Sequence, residues 1–168
     1  EYLSMLRWSL KQRENPVAIL IPSTELCHAT GAVRENFSLP AHYEIVRRGG
    51  EAAILAPGDM QALGKKTAAV LEEKYGICPT LMNPGVVSDL DEALLRDLRK
   101  EHRAVLVLED GLLSGGFGAK VAGFYADSSM KVLLRGLPKA FYDRYRISSL
   151  LKAQGMTPEQ LAESVVNA

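Results

Sequence analysis

Two periods of apolar and polar positions run along the chain. At its start Tyr2, Leu3, Leu6 and Leu10 recur at helical spacing, with Arg7, Lys11 and Arg13 on the other side. This predicts an amphipathic helix ending near Asn15-Pro16, because the residue before a proline avoids helical backbone. Residues 16–22, Pro-Val-Ala-Ile-Leu-Ile-Pro, are apolar on both faces and predict a short buried strand of the parallel-sheet kind. One helix and one buried strand cannot make a domain, so residues 1–22 read as the tail of a domain lying upstream. Residues 23–41 carry Ser, Thr, Gly, Asn and Pro without a period and read as a linker.

From residue 42 onward, strand and helix patterns alternate. Tyr43 to Val46 reads as a strand, Arg47-Arg48-Gly49-Gly50 as a turn, and Glu51 to Ala56 as the next strand. Asp59 stands where a cap would open a helix from Met60 to about Tyr75. Leu63, Thr67, Val70 and Leu71 stripe that helix, and Gly76 supplies its left-handed stop. Ile77 to Met82 predicts a third strand. Asp89 and Glu92 have capping-box spacing ahead of a helix through His102, with Leu94, Leu95 and Leu98 on its buried face. Ala104 to Leu108, apolar throughout, predicts a central strand. Gly115-Gly116-Phe117-Gly118 opens a helix to about Tyr125, and Lys131 to Leu134 predicts the fifth strand. Thr157-Pro158-Glu159-Gln160 offers a cap, a first-turn proline and a capping-box partner for the last helix. Such alternation implies crossover connections and a mainly parallel sheet. The four-residue turn makes the first strand antiparallel to the second. The expected fold class is α/β: a three-layer α/β/α domain over 42–168 with about five strands, one of them antiparallel.

Composition narrows the function classes. The 168 residues hold 20 Lys+Arg against 20 Asp+Glu, so the formal net charge is zero, and the basic excess usual in a nucleic-acid binder is missing. A hydrophobic fraction of 47% excludes a disordered chain. The longest apolar runs, Val17 to Ile21 and Ala104 to Leu108, are far below the roughly 20 residues that span a bilayer, so no membrane partner is expected. No charged, then apolar, then small-residue leader is present at the start. Cys27 and Cys78 form no CxxC pair. Two reduced thiols in a cytoplasmic protein are the simpler reading, although an even count permits a disulfide. His28, His42 and His102 are scattered, and no metal site can be built from local spacing.

The strongest local feature is the loop after the central strand, Glu109-Asp110-Gly111-Leu112-Leu113-Ser114-Gly115-Gly116-Phe117-Gly118. Ligands of open α/β sheets bind beyond the carboxyl ends of strands, and a glycine-rich turn opening a helix presents amides to an anion. Ser114, Gly115, Gly116 and Gly118 are therefore the candidate anion-binding residues, for a nucleotide or another anion. Against this, the spacing fits neither Walker A nor a full GxGxxG, Glu109 and Asp110 would repel a phosphate, and the glycines also serve close helix–sheet packing. Pairing of Glu109 with His102, or Glu92 with His28, has no support from spacing, and the Gly-x-Ser-x-Gly elbow is missing. No catalytic residue is assigned. The basic groups at Arg47-Arg48, Lys65-Lys66 and Lys139 to Arg146 read as solvated faces.

The order of the motifs resembles the C-terminal part of transketolase-like enzymes. Pro16-Val17-Ala18-Ile19 comes first, then Gly58-Asp59-Met60, then Met82-Asn83-Pro84 with Leu90 to Leu95. His102, Val107-Leu108-Glu109-Asp110, Gly115-Gly116-Phe117-Gly118, Gly136-Leu137-Pro138 and Gly155-Met156 extend the series. The likeness is greatest to the 1-deoxy-D-xylulose-5-phosphate synthases. The resemblance implies a three-domain homodimeric enzyme that uses thiamine diphosphate and Mg²⁺ to condense pyruvate with glyceraldehyde 3-phosphate, with loss of CO₂, for isoprenoid and thiamine synthesis. It makes residues 1–22 the end of the pyrimidine-binding domain and 42–168 the C-terminal domain, which supports the dimer. The cofactor site and its activating glutamate would then lie upstream, and neither cofactor nor metal is expected on these residues. Gly58-Asp59-Met60 with Asn83 is only a partial likeness to a diphosphate–magnesium motif, since Met60 replaces a glycine and the spacing is short. Ser23 stands where the family's Tyr-Pro-Arg-Gly carries the arginine expected to hold the sugar phosphate, and a serine cannot supply a bidentate cation. Ser88-Asp89-Leu90-Asp91 replaces Lys-Pro-Leu-Asp. Both departures bear on the acceptor substrate more than on the fold.

Overall fold

A computed structural model describes residues 1–21, 33–143 and 146–168. The elements run α1 (Tyr2–Lys11), β1 (Glu44–Arg47), β2 (Glu51–Leu55), α2 (Met60–Tyr75), β3 (Thr80–Asn83), α3 (Glu92–Leu98), β4 (His102–Leu112), α4 (Phe117–Phe124), β5 (Lys131–Leu137), α5 (Ile147–Ala153) and α6 (Pro158–Val166). The five strands form one sheet in the order β1-β3-β2-β4-β5. The pairs β2/β3, β2/β4 and β4/β5 are parallel.

Side chains alternate across each strand, and the sheet has apolar residues on both faces, so it builds two cores. Ala53, Leu55, Val105 and Val107 point to one side, where Leu95 and Leu98 of α3 and Phe117 and Val121 of α4 cover them. Ala52, Ile54, Leu106 and Leu108 point to the other, under Ala68 and Leu71 of α2 and Leu161, Ala162 and Val165 of α6. This is the three-layer α/β/α arrangement. Helix α2 approaches closely because Gly64 faces the sheet: a Cβ there would lie 3.0 Å from Ala56 Cβ and from Leu81 Cδ1.

The first strand is antiparallel as expected, but its partner is β3 and not β2, with Glu44 opposite Asn83. Residues 48–50 are therefore not a hairpin turn; they cross the start of β3. The Gly50 amide donates to the Cys78 carbonyl at 2.9 Å. The Gly49 amide donates to Thr80 Oγ1 at 3.1 Å, and the Gly49 carbonyl accepts from the same hydroxyl at 2.9 Å. The crossing is possible because Gly49 has no side chain: a Cβ there would sit 2.0 Å from the Cys78 carbonyl oxygen.

Several boundaries move for identifiable reasons. Helix α3 is capped by Asp91, whose carboxylate accepts from the Leu94 amide at 3.1 Å. Asp89, the expected cap, instead accepts from the Ala41 amide at 3.1 Å, and the second oxygen of Asp91 accepts from the Tyr43 amide at 3.0 Å. These two carboxylates hold the segment leading into β1. Strand β4 runs beyond the apolar stretch through Leu112, because Leu112 still pairs with Leu137 of β5. Helix α5 has no buried residue. The α6 capping box is present in full: the Thr157 hydroxyl accepts from the Gln160 amide at 3.3 Å, and Gln160 Oε1 accepts from the Thr157 amide at 3.1 Å.

The N-terminal segment departs most from expectation. Residues 16–21 form no strand, and Leu20 and Ile21 are 76% and 53% exposed. A strand apolar on both faces needs a sheet on either side of it, and it joins neither edge, β1 or β5, of this one. The described part of the linker, 33–41, packs on the molecule. Arg34 donates to the Pro84 carbonyl at 2.9 Å and the Asn83 carbonyl at 3.3 Å, and buried Phe37 meets Trp8 of α1 edge-on at 6.0 Å.

The two glycines of the crossing should respond unequally to alanine. Gly49→Ala is expected to lower the unfolding free energy by about 3 kcal/mol in urea titrations, at the upper end of overpacking costs. Gly50→Ala, whose added methyl meets nothing within 4 Å, should stay within about 0.5 kcal/mol of the parent.

Candidate functional site

The parallel strands leave β2 in opposite directions: one crossover leads to β3 on one side, and β4 lies on the other. The carboxyl ends of β2 and β4 therefore form the topological switch point, where open α/β sheets place their ligands. The loops meeting there are 57–59 after β2 and the end of β4, which carries Glu109 and Asp110.

Glu109 occupies the start of α4. One of its carboxylate oxygens accepts from the Phe117 amide at 3.1 Å and the other from the Gly118 amide at 2.8 Å. The Gly116 amide turns inward to the Leu113 carbonyl at 3.5 Å. The glycines are the walls of this nest. A Cβ on Gly116 would lie 2.6 Å from the Glu109 carboxyl carbon, and one on Gly118 would lie 3.2 Å from Oε2. Gly136 of β5 closes the node from the other side, where a Cβ would come within 2.8 Å of Glu109 Cβ and 3.1 Å of the Gly111 carbonyl oxygen. Glu109, Gly116, Gly118 and Gly136, from separate motifs, thus converge on one contact. The helix N-terminus that could have received an external anion already holds the chain's own carboxylate. The anion-binding reading of Ser114, Gly115, Gly116 and Gly118 is accordingly not favoured.

Asp59 does not cap α2 with its side chain. Instead it shares a hydrogen bond with Asp110 across the switch point, and its carboxyl is raised above the ordinary carboxylate range. Partial burial is the larger cause, followed by the Asp110 charge and the shared hydrogen bond. Sequence spacing did not reveal this pair, 51 positions apart by number. The available signal was that each aspartate lies within three residues of the end of an apolar run, and those runs are neighbours in the sheet. Asn83, at the end of β3, is engaged elsewhere: its Oδ1 accepts from the Gly85 amide at 3.2 Å and its Nδ2 donates to Glu1 at 3.3 Å. With Asn83 held by Gly85 and Glu1, the Gly58-Asp59-Met60…Asn83 series keeps only the partial likeness read from its spacing.

The remaining candidates are dispersed. His102 opens β4 and Glu109 lies near its other end, so they are no acid–base pair. Glu92 is ion-paired with Arg96, and Arg47 with Glu72 at 2.8 Å. Ser23, Cys27 and His28 fall outside the described residues, while Cys78 is an exposed free thiol. Among the described residues no group of three or more His, Cys, Asp and Glu side chains is placed to hold a metal ion. No described helix is long and apolar enough to cross a membrane.

The fold is a doubly wound α/β sheet whose glycine-rich turn is closed around an internal glutamate. More particularly, the chain belongs to the transketolase C-terminal domain family, whose profile matches residues 41–161. It is 33% identical to a 1-deoxy-D-xylulose-5-phosphate synthase of Shouchella clausii over 99% of this chain and 27% of that protein. It is 36% identical to the synthase of a Synechococcus species over 92% of this chain and 24% of that protein. The chain thus spans about a quarter of the length of these curated relatives. Among solved structures, the inactive β4 tetramer of a split-gene transketolase superimposes with a TM-score of 0.67 at 25% identity, over 77% of this chain and 41% of that one. A transketolase from Pichia stipitis shares the fold, with a TM-score of 0.53 at 18% identity over 79% of this chain and 18% of that one.

Two substitutions test the node and the pair. Glu109→Gln should cost about 1–3 kcal/mol in chemical denaturation, because a neutral amide replaces a carboxylate held by two helix amides. Asp110→Asn should move the Asp59 carboxyl titration to lower pH, as followed by side-chain carbon NMR. The raised Asp59 means that the folded state holds this proton more tightly than the unfolded one. Its effect therefore favours folding at acid pH and is lost as pH rises through the titration; Asp110→Asn should shrink that loss.

Proposed function

We propose that the chain is the C-terminal portion of a thiamine-diphosphate-dependent transferase of the 1-deoxy-D-xylulose-5-phosphate synthase type, and that these residues form its structural, dimer-supporting domain. In this reading residues 1–22 close the pyrimidine-binding domain, 23–41 link it onward and 42–168 are the C-terminal domain. The full-length protein would use thiamine diphosphate and Mg²⁺ in the cytoplasm as a homodimer to condense pyruvate with glyceraldehyde 3-phosphate. The identity of the relatives supports the enzyme class. The observation that carries the domain's role is the Glu109 nest: the glycine-rich start of α4 is neutralised from within, which removes the demand for an external phosphate there.

Its residues contribute no step of the chemistry. They hold the sheet, cover both of its faces and fasten the incoming segment through Arg34, Asp89 and Asp91. Ser23, in place of the family's phosphate-binding arginine, points to an acceptor held by other means or to a different acceptor. Isothermal titration calorimetry of the 168-residue chain with thiamine diphosphate and Mg²⁺ tests the assignment. No saturable heat is expected up to millimolar cofactor, and saturable binding in that range would overturn the scaffold role.

A further inference from the structure

At the opposite end of β4 from Glu109 lies a hydrogen-bond network that a neutral histidine cannot complete. The Nδ1 atom of His102 is 3.1 Å from the Leu98 carbonyl oxygen and its Nε2 is 2.8 Å from Thr80 Oγ1. A carbonyl only accepts, so the first contact is a hydrogen bond only when Nδ1 carries a proton. The Thr80 hydroxyl meanwhile receives the Gly49 amide at 3.1 Å and lies 2.9 Å from the Gly49 carbonyl oxygen. Thr80 is buried, and its hydroxyl owns a single proton.

Counting protons gives two arrangements. In the neutral ring protonated at Nδ1, Nε2 is an acceptor and takes the Thr80 proton, so the Gly49 carbonyl loses its partner. In the imidazolium, Nε2 donates to the hydroxyl oxygen, and the hydroxyl proton is free to bond the Gly49 carbonyl. All four contacts are then made, within the two lone pairs and one proton of a hydroxyl. The third form, neutral with the proton on Nε2, would set the Nδ1 lone pair against the Leu98 carbonyl.

We propose that His102 is a pH-responsive pin: the charge on its ring, relayed by the direction of the Thr80 hydroxyl, decides whether the Gly49 carbonyl of the β1-to-β2 crossing is held to the sheet. The crossing seats β1 on β3, so the pin acts on the antiparallel edge strand. The ring borders a small cavity of about 100 Å³. The charged groups around it are Arg48 from the crossing, Asp97 and Glu101 from α3 and the turn behind it, and Glu51, which pairs with His102 across β2 and β4. Lys100 is ion-paired with Asp97 at 2.7 Å.

The test is NMR on the 168-residue chain between about pH 5 and 8, the range in which histidine ordinarily changes charge. The Gly49 carbonyl carbon should shift along the same curve as the His102 ring nitrogens. That response should be lost in Thr80→Val, retained in Thr80→Ser, and lost in His102→Gln. If Thr80→Val does not fold, the parent curve and His102→Gln decide the matter alone. A Gly49 carbonyl that stays silent while the ring titrates, a ring that keeps one charge state throughout, or a Gly49 response that survives in either Thr80→Val or His102→Gln would overturn the proposal.

Discussion

The Glu109 carboxylate, held by the Phe117 and Gly118 amides at 3.1 and 2.8 Å, ties helix α4 to the paired strands β4 and β5. It lies near the end of β4, it satisfies the exposed amides at the start of α4, and its side chain leaves no room for anything larger than glycine at position 136 of β5. A carboxylate at a helix N-terminus is favoured both by the unpaired amides and by the helix dipole. Because this one is supplied from within, the glycine-rich turn that usually advertises a ligand site is a packing joint. The domain keeps a doubly wound α/β form in which the glycine-rich start of α4 is occupied by the chain's own carboxylate.

A second set of polar contacts positions the sheet's antiparallel edge. Asp89 and Asp91 receive the amides of Ala41 and Tyr43, while Gly49 and Gly50 are bound to Thr80 and Cys78 at the far end of β1. The short strand between them is thus fastened at both ends by groups outside its own ladder. A four-residue edge strand gains little from pairing alone, and such anchors keep it from slipping in register. Arg34 extends the fastening to the N-terminal segment by spanning the Asn83 and Pro84 carbonyls above Gly85, whose positive φ turns the chain beneath it.

Legibility in the sequence tracked how local each signal was. Helix α2 runs over Met60–Tyr75 with Gly76 at its stop, and α6 begins with the Thr157–Gln160 capping box, since caps and stops are decided by residues within one turn. The central strand was legible because Ala104 to Leu108 is apolar on both faces. Asp89 and Asp91 were not separable by local rules. Both sit just before the helix, and what assigns the cap to Asp91 is the arrival of Ala41 and Tyr43 from 48 positions away. The apolar run 16–21 misled in the other direction, since its pattern states what a strand needs and cannot supply the sheet that would satisfy it.

What the sequence determined by itself was the alternation of strands and helices, the three-layer class and the ordered motifs of the transketolase C-terminal family. These rest on periodicity and on short-range backbone preference, which survive without knowledge of what lies opposite. Only the tertiary structure decided that β1 pairs with β3, that Asp59 meets Asp110, and that Glu109 fills the turn made by its own glycines. Each of those depends on which chain segments become neighbours when two apolar faces are buried at once. Spacing along the chain does not encode that adjacency, because strand order in a sheet is chosen by the packing of its covering helices.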